Sequence, residues 1–191
     1  MKAVSYMVPV VMLLLSFLYN NNPFVVMEEA QQAFQLLNTI RSNPEKYYKE
    51  LHLSSKLTIT KAPLRWNDTL ARVAEAKALD MAKRNYFDHV NPDGLGINYF
   101  INQSGYILQA DWLKDKKENF FESIGSGYDS GEAAIKAMII DTEDANMGHR
   151  DHVLGIGEWD ASLHDIGIGF VRCDGGKYQS YICIIIAKHN W

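Results

Sequence analysis

Apolar residues recur first at helical spacing along this chain and later at strand spacing. In MEEAQQAFQLLNTIRS, Met27, Ala30, Phe34, Leu37 and Ile40 fall on one stripe, because residues three and four apart share a helix face. Glu28 and Glu29 suit the first turn of that helix, and Asn43-Pro44 ends it. A short second helix is expected over PEKYYKEL. A longer one covers NDTLARVAEAKALDMAKRN, where Leu70, Val73, Ala74, Ala78 and Met81 repeat at three and four and Asn67 or Asp68 serves as cap. Its alanines permit close approach of a neighbouring element. SGEAAIKAMII reads as a further helix, capped by Ser130, with Ala134, Ala137 and Met138 inward. The pattern then changes. DIGIGFVRC and YQSYICIIIA read as two strands joined by a Gly-rich turn, and ENFFESIGSG as another strand or extended segment. Helices first and strands late predict an α+β layered domain, with no strand–helix alternation to suggest a parallel sheet.

Composition adds bounds. The 191 residues fit one domain plus an N-terminal extra, and 47% hydrophobic content supports a sizeable core. A formal charge of −4 without a Lys/Arg cluster argues against a nucleic-acid or anionic-membrane partner. Residues 1–22 hold an apolar run from about Tyr6 to Tyr19, broken by Asn20-Asn21-Asn22. A membrane span needs about 20 residues, so the run is read as a secretory signal peptide, with an uncleaved N-terminal anchor as the alternative. The domain proper is then 23–191, and the mature domain does not span a membrane. The two cysteines, Cys173 and Cys183, flank the turn between the last two strands. Export permits a disulfide there, and the strand register decides whether the thiols meet.

Few residues stand out chemically. Asp141 continues the apolar stripe of its helix and lies near the C-terminus, against both burial preference and the helix dipole, so either it has a partner or the stripe has already turned to the surface there. His149 and His152, three apart in GHRDHVLG, share a helix face. Glu118 precedes Asn119 and two phenylalanines. His89 sits where a helix stops, ahead of the turn signal Asn91-Pro92-Asp93-Gly94. No serine occupies a Gly-x-Ser-x-Gly context and no glycine loop suits a phosphate.

The order of these pieces carries more than any one of them. LLNTIR, LRWNDTLARVAEAKALDMA, FDHVNPDG, SGY, ENF, EAAIKAMIID, GHRDHVL and IGIGF follow one another from about Glu28 to Lys188. In that order the chain resembles the CAP superfamily of cysteine-rich secretory, antigen 5 and pathogenesis-related proteins, and its bacterial SCP-domain members most closely. The resemblance implies an α-β-α sandwich with a three-stranded antiparallel sheet between helical layers. It also implies a cleft lined by two histidines and two acids: His89 from FDH, Glu118 from the Glu-Asn motif, Asp141 from MIID and His149 from GHR. His152 has no counterpart. Met138 stands where a tryptophan is usual, and the disulfide framework of the eukaryotic members is missing.

Two imidazoles and two carboxylates facing one cavity suit a divalent metal such as zinc on His89 and His149, with Glu118 beside them. They also suit acid–base hydrolysis. Three function classes stay open: a secreted binding or interaction module for an extracellular peptide, lipid or cell-wall component, a metal-dependent hydrolase, and a lipid or sterol carrier. The module comes first, because no residue has the context of an activated nucleophile.

Overall fold

The computed structural model describes residues 22–142 and 147–189. The expected leader therefore lies outside the described residues except for Asn22. Among those residues no helix is long and apolar enough to cross a membrane.

Three strands form the body of the sheet: β3 (Glu122–Ser126), β4 (Asp165–Arg172) and β5 (Ser180–Ala187). Both β3 and β4 pair antiparallel with β5, so β5 is central. Every residue of β5 is buried, which explains why YICIIIA, after Ser180, is apolar without alternation. Two-residue strands, β1 (Phe24–Val25) and β2 (Arg65–Trp66), join β4 on its outer side. That leaves β3 at the other edge.

Helices cover both faces. On one face lies α2 (Asp68–Arg84), capped by the Asn67 side chain, which accepts from the N–H groups of Thr69 and Leu70. It sits directly on β4. A Cβ at Gly167 or Gly169 would come within 2.3 Å of the α2 backbone, so the glycines of DIGIGF and the alanines of α2 serve one close approach. The other face carries α1 (Met27–Ser42), α4 (Gly131–Ile140) and α5 (Gly148–Leu154). Shorter helices α3 (Ile97–Gln103) and α6 (Gly157–Ala161) close the ends. The segment expected to form a second helix makes only a 3-10 turn at Pro44–Lys46. The architecture is the α-β-α sandwich.

The cysteine pairing that the hairpin left open does not form. Cys183 lies opposite Gly169, whereas Cys173 lies beyond the end of the β4–β5 ladder and donates its N–H to Gln179. Four residues of strand separate the two positions, roughly 13 Å, too far for a disulfide. Both thiols are free and buried.

Candidate functional site

The cleft opens along the free edge of β3. Its first histidine is set by α2 and the turn after it. The helix ends at Asn85 in the left-handed conformation, φ 55°. Lys77, buried on α2, then reaches past the end of its helix. Its Nζ donates to the carbonyl oxygens of Asp88 at 2.7 Å and His89 at 2.9 Å. The chain reverses next, with Asn91 Oδ1 accepting from the N–H groups of Asp93 and Leu95. The turn signal explains the loop, and Lys77 fixes where His89 points.

The imidazole of His89 finds Glu122, not Glu118. His89 Nδ1 lies 2.8 Å from Glu122 Oε2, and the carboxylate side chain is fully buried. An ionised carboxylate only accepts, so Nδ1 carries the hydrogen. Asn119 Nδ2 lies 2.9 Å from the same nitrogen and donates instead to the Glu122 carbonyl. The Cys183 thiol donates to the other carboxylate oxygen at 3.4 Å. Burial, with the Glu122 charge adding to it, holds that thiol well above its usual pKa. Glu118 instead lies in the loop before β3, where its carbonyl accepts from the Asn98 N–H, and it does not border the cleft. The physical reason is Asn119. Its side chain accepts from Glu122 N–H and donates to Glu122 C=O, so the strand begins at Glu122.

Asp141 and His149 form the second pair. Asp141 ends α4 in the left-handed conformation, φ 48°, and is buried. Its Oδ1 lies 2.9 Å from His149 Nδ1, while its Oδ2 accepts from the N–H groups of His149 and Arg150 at 3.1 and 3.2 Å. The carboxylate that opposed the dipole of its own helix thus caps the start of the next one. Arg150 returns the favour to α4, donating from Nε to the Ile139 carbonyl at 2.5 Å and from Nη2 to that of Ile140.

Each ring therefore has Nδ1 held by a buried carboxylate. Nε2 is left without a hydrogen bond among the described residues. The side chains of His89 and His149 are 41% and 33% exposed, so the rings face the cavity with the acids behind them. Both border an inner polar chamber of about 240 Å3 and an outer groove of about 660 Å3. Asn119, Ser123, His152 and Asp160, which sequence reasoning did not place in the cleft, also line the chamber. His152 Nδ1 lies 2.7 Å from Ser123 Oγ, and burial lowers its pKa to about 4. Burial, then the charge of Asp151, raises Asp160 to about 6. Another hollow, about 560 Å3 beside α2 and α3, is lined by Val73, Phe100 and Gln103 among others and holds no histidine.

The held Nδ1 and open Nε2 match the way metal-ligating histidines are usually supported, with the far nitrogen donating to a carboxylate. Among the described residues, however, no three His, Cys, Asp or Glu side chains are grouped to share one ion. The donors that remain on the cavity are the two imidazole Nε2 atoms of His89 and His149.

A family model described as "CAP: Cysteine-rich secretory protein family" matches residues 34–186. The "Uncharacterized protein YkwD" of Bacillus subtilis (strain 168) is 27% identical over 154 residues, covering 76% of this chain and 51% of its own. The chain thus spans about half the length of that curated relative. Among solved structures, an extracellular protein containing a SCP domain from Bacillus anthracis str. Ames superposes with a TM-score of 0.53. It is 23% identical, over 85% of this chain and 41% of that one. Venom allergen-like protein 4 of Schistosoma mansoni gives 0.52 at 16% identity, covering 86% and 92%. An outer surface protein of Borrelia burgdorferi gives 0.51 at 14%, covering 87% and 98%.

Proposed function

Because the chain belongs to the CAP, or cysteine-rich secretory protein, family, we propose that it acts outside the cell as a ligand-binding module whose cleft holds a divalent metal on His89 and His149. One structural relative is described as extracellular and another as an outer surface protein, which supports the location. The observation that carries the metal is the pairing of each Nδ1 with a buried carboxylate, which leaves two Nε2 atoms on one cavity. When bound, a zinc ion there supplies a Lewis acid with open positions for a ligand.

The hydrolase reading is weaker. The serine facing the chamber, Ser123, has its hydroxyl on His152, whose pKa near 4 makes it a poor base at neutral pH. The lipid-carrier reading has less behind it than the module, since the inner chamber is bordered mainly by histidine, carboxyl and amide groups.

Calorimetric titration with zinc tests the proposal. Wild-type protein should bind one equivalent. The double variant His89→Ala/His149→Ala should bind none while keeping the wild-type circular dichroism spectrum. Unchanged zinc affinity in the double variant would rule out this pair.

A further inference from the structure

The β3 edge that runs through the cleft is an open pairing surface. Phe121 O accepts from Ile186 N–H, and Gly127 N–H donates to Ser180 O, each at 2.9 Å. Between those bonds the register runs unbroken from Glu122↔Ile185 to Ser126↔Tyr181. Residues in an antiparallel pair alternate between bonded and non-bonded positions. Phe121, Ser123, Gly125 and Gly127 therefore turn their backbone groups to β5, while Glu122, Ile124 and Ser126 turn theirs outward. Among the described residues no strand lies on that side.

Of the three outward residues, Glu122 is already occupied. The Asn119 amide pairs with its N–H and C=O as a neighbouring strand would. Among the described residues nothing bonds the N–H or C=O of Ile124 or Ser126. Both residues line the outer groove, between Phe87 and Asp88 after α2 and Met138 and Ile140 on α4.

From this we infer that the ligand is a peptide in extended conformation, which adds as a strand to β3 at Ile124 and Ser126. The inference rests on the reading of the cleft as a ligand-binding module and names its occupant. Strand addition gives affinity through main-chain bonds and selectivity through alternate side chains. The open edge is about 10 Å long, three strand residues, and Asn119 closes it at the end near His89. A peptide that pairs here sets side chains of one parity against Met138 and Ile140, so an apolar residue is expected at alternate positions. Its end beyond Ile124 lies beside His89. A second copy of the chain fits less well. Ile124 is 6% exposed, and an edge sunk between two walls admits a slender strand rather than another domain.

The test begins with a random heptapeptide library displayed on phage and panned against the full chain. A selected peptide is synthesised, together with versions N-methylated at single amides. Hydrogen exchange should slow at the Ile124 and Ser126 amides when the peptide binds. N-methylation at alternate amides should weaken it about tenfold, the scale of one lost hydrogen bond, with little effect at the intervening ones. Ser126→Pro removes one outward donor and no β5 bond, and should weaken binding similarly. No enriched peptide, binding without slower exchange at those two amides, or self-association of the chain through that edge would overturn the inference. Zinc titration of the wild-type protein reports on the parent reading separately, so either idea can fail alone.

Discussion

At His89, three side chains from different parts of the chain set one imidazole. Lys77 holds the carbonyls of its loop, Glu122 takes its Nδ1 hydrogen, and Asn119 starts the strand that brings Glu122 into place. Removing a carboxylate behind a metal-ligating histidine typically costs about 10–100-fold in metal affinity. Glu122→Ala should therefore weaken zinc binding by that range, and Glu118→Ala should leave it unchanged. The opposite ranking would restore Glu118 to the site. The histidine itself was legible in FDHVNPDG, through the resemblance and the turn signal. The acid was not. Glu118 and Glu122 are four apart in ENFFES, and strand alternation suits either. What separates them is the Asn119 side chain folding back onto the sheet edge, a tertiary choice that no local pattern carries.

At the scale of elements, the junction of α4 and α5 explains a residue that looked misplaced. Asp141 adds its charge to the negative end of α4, yet it accepts two N–H groups at the start of α5 as well as the His149 ring. Asp141→Ala removes a helix cap and leaves His149 without its acceptor. It should cost about 1–3 kcal/mol in chemical denaturation and weaken zinc binding as well. A loss below about 0.5 kcal/mol would show that the cap contributes little. Long helices with clear stripes, α1, α2 and α4, were readable from period and caps, including Asn67 and Ser130. Helices α3 and α6, at seven and five residues, are too short for a stripe to register. The hairpin β4–β5 was readable, but its register was not, and register is what places Cys183 opposite Gly169.

Across the whole molecule, stability is tied to pH through a buried histidine on the wall of the inner chamber. His152 has its pKa lowered from 6.5 to about 4, chiefly by burial. The folded protein thus binds fewer protons than the unfolded chain between those values, and stability falls as pH drops through that window. The full effect is on the order of 3 kcal/mol. Asp160, raised from 3.8 to about 6, acts in the opposite sense, adding stability at low pH that is lost as pH rises through 6. The comparison is therefore with His152→Asn, whose stability should change less between pH 6.5 and 4 than that of the wild type. Parallel curves would contradict the burial account. The sequence pattern showed His149 and His152 on one face but not that the first ring is part-exposed on Asp141 and the second buried on Ser123, since that depends on tertiary partners. The most direct test of the cleft is imidazole 1H–15N multiple-bond NMR of uniformly labelled protein, with and without one equivalent of zinc. His89 and His149 should both carry their hydrogen on Nδ1 before zinc, and zinc should move their Nε2 resonances while leaving those of His152 in place. A hydrogen on Nε2 of either ring, or a zinc shift confined to other histidines, would contradict the account.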